Sequence, residues 1–255
     1  MVVLKSEAEI ATMREAGRVV ANTLAAVAAA ARVGVRLIDL DELAAGLIAS
    51  GGAKPSFLNY HPAWAPIPYP GVLCLSVNDD IVHGIPGRRA LAEGDLLSID
   101  CGAYIDGYHG DAAITVGIGQ IDEAARRLSD ATDRALAAGI AAARVGARIG
   151  DISHAVETVA RETGYGLPDG LGGHGVGKAM HEAPSVPNTG PAGQGMPLSE
   201  GLVIAIEPML LEGGGNRCRT LADGWTIATV DGSRAAHFEH TIAVTADGPV
   251  ILTAP

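Results

Sequence analysis

Two stretches of this chain, 112 residues apart, nearly coincide. Ala29–Leu40 reads AAARVGVRLIDL and Ala141–Ile152 reads AAARVGARIGDI, identical at eight of twelve positions. Alanine tracts match easily, but Arg-Val-Gly-x-Arg-x-x-Asp does not. A second echo follows: Glu93-Gly94 leads through an apolar run to Ile99-Asp100, and Glu200-Gly201 through another to Ile206-Glu207, each Glu seven residues before an acid. The repeat predicts a single domain, 1–255, fused from two related halves of about 5–120 and 121–250, each ending a core strand in a carboxylate. Such acids would meet near a pseudo-two-fold axis. With 255 residues and 48% hydrophobic content, one large domain with a sizeable core is the matching architecture.

Ser6 followed by Glu9 is a capping box, and Ile10, Met13, Val20, Leu24 and Val27 then share a helical face. Asp39 with Glu42 is predicted to cap a second helix carrying Leu40, Leu43 and Leu47, stopped by Gly51-Gly52. Lys54 to Pro70 is rich in proline and aromatics, including Tyr60, Trp64 and Tyr69, and reads as a loop. A strand over Val72–Val77 follows. A helical region is predicted from about Glu123 to Glu162, broken near Gly146–Gly150.

Between these lies Leu96 to Val116, read as a β-hairpin. Asp106-Gly107 is a two-residue turn signal, since a type I′ turn needs φ > 0 at both central positions. That turn pairs Ile105 with Tyr108 and puts Gly102 opposite Asp111; Asp100, two residues from Gly102, shares its face. As a lone pair, the two acids read best as one surface residue and one turn residue. If both face one apolar interior, they need positive charge between them.

A net charge of -11 and a pI near 5.1 argue against nucleic acid as a ligand, since phosphate binding needs clustered Lys and Arg. Cys74, Cys101 and Cys218 are odd in number and widely spaced, with no CxxC; neither a disulfide framework nor a thiolate zinc site is indicated, which fits a reducing cytoplasm. The charged N-terminus and short Ala-rich run carry no signal-peptide or membrane-span pattern.

Gly172-Gly-His174-Gly-Val-Gly-Lys178 fits the letter of a phosphate loop, G-x-x-x-x-G-K. Ala179, however, stands where a Ser or Thr is required, and no strand pattern precedes it. The glycines instead suit close backbone approach around His174. Glu207 ends Val203–Ile206, an unbroken apolar strand buried on both faces. Glu239 sits on another β-prone segment. Singly, each acid or histidine is accounted for by an ion pair or a satisfied hydrogen bond. Together, four carboxylates on core strands and one His among glycines make an oxygen-rich site with a single nitrogen ligand, suited to divalent ions rather than to structural zinc.

The order Asp100, Asp111, His174, Glu207, Glu239, with His83-Gly-Ile-Pro before and Phe-Glu-His-Thr at the end, resembles the type I methionine aminopeptidases over nearly the whole chain. The resemblance implies a pita-bread fold of α/β (α+β) class: a pseudo-two-fold antiparallel sheet core with helices on the outer face. It implies two divalent metal ions (Co, Mn, Fe, Zn or Ni), bridged by Asp111 and Glu239, with Asp100 chelating one and His174 with Glu207 completing the other. A water bridging the ions would attack the scissile carbonyl, Glu207 shuttling the proton and His83 and His181 contacting substrate. The methionine pocket would comprise Tyr60, Tyr69, Cys74, Met180 and Trp225. Two departures stand out: Met180 where many relatives carry Phe, and a segment His61 to Pro68 longer than in short bacterial forms.

The expected activity is removal of the N-terminal initiator methionine from nascent polypeptides when the second residue is small. The expected setting is a cytoplasmic monomer near the ribosome, without an N-terminal docking module, a nucleic-acid partner or a membrane anchor. Two alternatives remain: a proline-directed aminopeptidase of the same fold, which usually carries a large N-terminal domain, and a non-catalytic binding protein, which should have lost metal ligands.

Overall fold

Ser6 begins the first helix as the capping box requires: its Oγ accepts the Glu9 N–H at 3.4 Å, and the Glu9 carboxylate accepts the Ser6 N–H at 2.8 Å. The computed structural model, which describes residues 2–255, places helices at Glu7–Ala30 (α1), Leu37–Ser50 (α2), Glu123–Ala142 (α3) and Ile149–Thr163 (α4). The second helix departs from expectation. It starts two residues before Asp39, which is the third helical residue and accepts the Arg36 N–H at 3.3 Å while pairing with the Arg36 guanidinium. The buried stripe runs over Leu37, Leu40, Ala44 and Ile48, and Leu43 is exposed. Asp151 repeats the device on α4, accepting the Arg148 N–H at 2.7 Å. The Arg-x-x-Asp of the sequence repeat is therefore a helix-start signal.

The strands among the described residues are, in chain order, Lys54–Pro55 (β1), Leu73–Val77 (β2), Asp80–Val82 (β3), Leu96–Ile105 (β4), Tyr108–Gly117 (β5), Gly172–Gly175 (β6), Glu182–Pro187 (β7), Val203–Ile206 (β8), Met209–Leu211 (β9), Cys218–Thr220 (β10), Ile227–Thr229 (β11), Ala235–His237 (β12), Glu239–Thr245 (β13) and Gly248–Ile251 (β14). The main antiparallel sheet runs β1-β4-β5-β13-β8-β6-β7, with β2 on β4 and β14 on β13. The predicted loop at 54–70 is thus tied to the sheet at its base by β1. The hairpin has the predicted register, Ile105 opposite Tyr108 and Gly102 opposite Asp111, with φ of 50° at Asp106 and 82° at Gly107.

Strand alternation divides labour between the sheet's faces. On β4 and β5, Ile99, Cys101, Ala103 and Ala112 pack with Val20, Leu24 and Val27 of α1 and with Leu40 and Ile48 of α2. On the other half, Ile204, Ile206, Ile242 and Val244 pack with Leu128 and Leu136 of α3 and Ile152 and Val156 of α4. The helices cover the outer face. Asp100, Asp111 and the residues in register with them turn to the inner one.

Backbone hydrogen bonds recur at the repeated sequences. Gly34 N–H donates to Leu91 O at 2.8 Å and Leu91 N–H to Val35 O at 2.8 Å; Gly146 N–H donates to Leu198 O at 3.1 Å and Leu198 N–H to Ala147 O at 2.7 Å. Gly34 and Gly146 have φ of 87° and 88°, left-handed values that favour glycine. We propose from this recurrence that the chain is one domain of two related halves. Because β5 of the first half pairs with β13 of the second inside one sheet, neither half can open without breaking that ladder. The metal-loaded protein should therefore unfold in urea in a single transition, coincident by far-UV circular dichroism and by Trp64 and Trp225 fluorescence. Two separated transitions would show independent domains.

Candidate active site

The pairing register builds the site one row at a time. Glu239 of β13 lies opposite Ala113 of β5, Ala113 opposite Asp100 of β4, and Asp100 opposite Cys74 of β2. Asp111 is two residues from Ala113 and so on the same face. Glu207 directly follows β8, whose Ile206 pairs with His240 of β13. His174 comes from β6, which lies so near β8 that a Cβ at Gly173 would collide with the Ala205 carbonyl; the glycine-rich run is a close-approach device, as its composition implied.

The structure brings Asp100, Asp111, His174, Glu207 and Glu239 to one cavity of about 230 Å³, together with His83 and His181. His174 Nε2 is 3.8 Å from Asp111 Oδ2 and 3.6 Å from Glu207 Oε1. These separations are too long for hydrogen bonds, but donors each about 2.0–2.2 Å from a shared ion fall naturally at such spacings. His174 Nδ1 lies 2.9 Å from Gly175 O. In the neutral ring, that contact puts the proton on Nδ1 and leaves the Nε2 lone pair facing the carboxylates.

One residue here was not foreseen. His237, 2% exposed, places Nε2 3.7 Å from Glu207 Oε2 and 3.8 Å from Glu239 Oε2. Two donor groups result, Asp111–His174–Glu239 and Glu207–His237–Glu239, with Glu239 common to both. The site therefore offers two imidazole nitrogens where the sequence reading counted one. The signal was present: His237 precedes Glu239 by two, the spacing of a shared strand face.

Burial raises all four carboxyl groups. Asp100 is pushed up to about 7, and Asp111, Glu207 and Glu239 lie well above the ordinary carboxylate range, each pushed further by the charges of its acidic neighbours. Among the described residues, no Lys or Arg lines the cavity. Asp100 Oδ1, Asp111 Oδ1, Glu239 Oε1 and His237 Nε2 are buried without a hydrogen-bond partner. Four ionised carboxylates in that setting require cations, and an oxygen-rich set with two imidazoles fits divalent metal.

Burial lowers the histidines instead. His83 falls to about 4, and His181 and His237 to about 3, so all three are neutral at pH 7. His83 also adopts φ of 60°, a left-handed conformation uncommon outside glycine. His181 is sandwiched between rings, 4.1 Å from His174 and 5.3 Å from Tyr60 by centroid.

The other cavity wall is apolar. Tyr60, Tyr69, Cys74 and Trp225 line it, joined by Phe57 and Trp64 from the proline-rich segment. Met180 belongs to the same buried cluster but is not among the lining residues. Its thioether backs the wall rather than forming it.

Residues 11–246 match the model of metallopeptidase family M24. The chain belongs to family M24. Among M24 relatives, methionine aminopeptidase 1 of Mycobacterium tuberculosis is 50% identical, the match covering 98% of this chain and 94% of that one. Methionine aminopeptidase 1 of Bacillus subtilis is 43% identical over 99% of both chains. The crystal structure of methionine aminopeptidase from Thermotoga maritima superposes with a TM-score of 0.96 at 39% identity, covering 100% of each chain. Prolidase from Pyrococcus furiosus shares the fold, with a TM-score of 0.80 at 21% identity over 99% of this chain and 66% of that one. This M24 chain has the pita-bread fold, a curled antiparallel sheet with helices outside, and it binds divalent metal.

The raised carboxyl groups give a pH test. Asp100 rises from an ordinary 3.8 to about 7, so its contribution to stability is fully present below 3.8 and is lost as pH rises through 7. The buried histidines act in the opposite sense: their contribution is present above 6.5 and is lost as pH falls through about 4 for His83 and about 3 for His181 and His237. Comparing metal-free wild type with Asp100→Asn cancels them. The wild type should lose urea stability relative to the variant between pH 5 and pH 8, by an amount on the order of a few kcal/mol, since each tenfold change in proton affinity is about 1.4 kcal/mol. A difference that stays flat with pH would contradict charge burial at Asp100.

Proposed function

We propose that the chain is a metal-dependent methionyl aminopeptidase, removing an N-terminal methionine from peptides and nascent polypeptides. The observation that carries the reading is the join of two unlike walls in one cavity: partnerless buried carboxylates and imidazoles on one side, aromatic rings and a buried thiol on the other. An apolar, polarisable wall suits a flexible thioether. The relatives named above support the same activity.

Asp100, Asp111, His174, Glu207 and Glu239 would hold two divalent ions in this cavity. Bound there, divalent ions supply Lewis acidity, polarising the scissile carbonyl and lowering the pKa of water. The chain's own groups do the rest. Glu207, directed at the centre from the end of β8, takes the proton of the attacking water on a carboxylate oxygen and delivers it to the leaving amide nitrogen. His83 and His181, neutral through burial, donate ring N–H hydrogen bonds to the scissile amide and to the oxygen that gains charge. The aromatic wall excludes water from the bound side chain.

A reducing cytoplasm and a monomeric state complete the proposal; Cys74, Cys101 and Cys218 are all free thiols. No helix among the described residues is long and apolar enough to cross a membrane.

Chelation should abolish activity and divalent metal should restore it. Asp111→Asn and Glu239→Gln should each lose at least about two orders of magnitude in kcat/KM while keeping a native circular dichroism spectrum, since losing even an outer-shell partner of a metal ligand costs about 10–100-fold. Full activity after exhaustive chelation would refute metal dependence.

Substrate class is decided by a panel of Met-X-Met peptides beside Ala-Pro-X peptides. Cleavage confined to the methionine series, best when X is Gly, Ala or Ser, is the expected result. Preference for the Ala-Pro series would move the chain to the proline-directed branch, and silence on both with metal bound would favour a binding protein.

A further inference from the structure

Residues 61–68 join two walls of the aromatic cavity, and the segment is clamped. At its base, Asn59 N–H donates to Tyr69 O at 2.8 Å and Tyr69 N–H to Tyr60 O at 2.9 Å. Inside it, Ala65 N–H donates to Pro62 O at 3.0 Å, and His61 Nε2 lies 3.1 Å from Ala65 O. Pro62, Pro66 and Pro68 fix three φ angles. On the far side, the Trp225 indole N–H donates to Ile67 O at 2.9 Å. Pro66 packs so closely on Gly224 that a Cβ there would collide with its ring.

This stiff segment carries Trp64. The indole is 59% exposed, yet it has a defined seat: 6.1 Å from the His83 ring at an interplanar angle of 22°, and 4.8 Å from the Trp225 ring at 67°. It also borders two cavities at once, the aromatic one of about 230 Å³ and a neighbour of about 490 Å³. Both are bordered as well by Val82, His83, His174, His181 and Glu207. An indole so exposed adds little to the core, so fixing it at the junction serves what passes through the junction.

We propose that Trp64 is a specificity-determining residue: its indole is the wall of the passage between the two cavities and limits the size of the substrate side chain that follows the N-terminal methionine. This rests on the aminopeptidase reading. With methionine in the aromatic cavity and the scissile amide among His83, His181 and the carboxylates, the next residue leaves through the shared opening, beside Trp64 and His83. The ring cannot swing aside without giving up both its stacking on His83 and its edge contact with Trp225. A bulky side chain there shifts the scissile carbonyl instead, and a displacement of about 1 Å can cost about a hundredfold in rate.

The test uses metal-loaded wild type, Trp64→Ala and Trp64→Phe, with Met-X-Met peptides where X is Ala, Val or Leu. The ratio of kcat/KM for X = Leu to that for X = Ala should rise by about tenfold or more in Trp64→Ala as the steric block is lifted. In Trp64→Phe, which keeps a ring in place, the ratio should stay within about threefold of wild type, a small difference on the scale of one or two methylenes in an apolar site. An unchanged ratio in Trp64→Ala overturns the proposal. So does an equal fall for all three peptides with a displaced pH profile, which would make Trp64 a support for His83 alone. If metal-loaded wild type cleaves none of the peptides, the aminopeptidase reading fails and peptide binding decides the inference, followed through Trp225 fluorescence, which both variants retain. Weaker discrimination against X = Leu in Trp64→Ala then supports it, and equal discrimination overturns it.

Discussion

Mutual repulsion among four carboxylates, buried in one cavity beside each other, is the constraint the rest of the structure answers. Left to relax, such groups would separate or draw in water. The sheet prevents both. Asp100, Ala113 and Glu239 sit in one row across three hydrogen-bonded strands. Thr241 ties the crossing strands together beside that row, accepting the Asp111 N–H at 2.9 Å and donating its hydroxyl to Asp111 O at 2.8 Å. On the opposite face of the same strands, alternate residues are locked into the helical cores. The backbone that carries each carboxylate is fixed by strands anchored by apolar burial on the side away from the charge. The resulting site is held rigid, which is what a metal centre requires of its ligands.

The histidines are set by the same burial acting with opposite sign. Desolvation favours the neutral form of both kinds of group, so it raises acids and lowers imidazoles in one cavity. Cations reverse the first effect and leave the second intact. The metal-loaded site therefore combines ionised carboxylates with neutral rings, and a neutral ring offers either a lone pair or an N–H. His174 has its choice made by Gly175 O. His83 holds its Nδ1 buried and unpartnered.

Much of this was legible in the sequence, and for physical reasons. A two-residue turn with φ > 0 fixes hairpin register, so Asp106-Gly107 was enough to align Gly102 with Asp111 and to put Asp100 on that face. The Arg-Val-Gly-x-Arg-x-x-Asp repeat pointed to two related halves, and the structure shows it marking two equivalent helix entries, because a left-handed glycine and a carboxylate cap each demand particular residues. Elsewhere the local code was ambiguous. Asp39 is a good N-cap in isolation, and only the Arg36 pairing reveals it as the third residue of a helix already under way. His237 lies two residues before Glu239, a spacing that carried the information, although β12 and β13 break between them. Trp64 and Phe57 lie in a segment without period, where position is set by distant partners such as Trp225 and Gly224, and no pattern along the chain could have placed them.

Selectivity for an apolar first residue follows from how the aromatic wall disposes of its own polar atoms. The Tyr69 hydroxyl lies 2.9 Å from Leu73 O and 2.8 Å from Gly84 O, so its proton is committed to the backbone. The Trp225 N–H is committed to Ile67 O. Burial raises the Cys74 thiol well above its ordinary value, keeping it protonated and uncharged. The wall thus turns carbon, sulfur and ring faces toward the cavity and keeps these donors occupied elsewhere. A charged side chain entering it would lose its hydration with little returned, a cost of several kcal/mol, whereas a thioether loses almost nothing and gains dispersion against the rings. In the proposed reaction, the polar half of the cavity would anchor the peptide by its backbone, common to every substrate. Discrimination must come from the other half, where rejection of charge and polarity does more than any specific attraction to methionine.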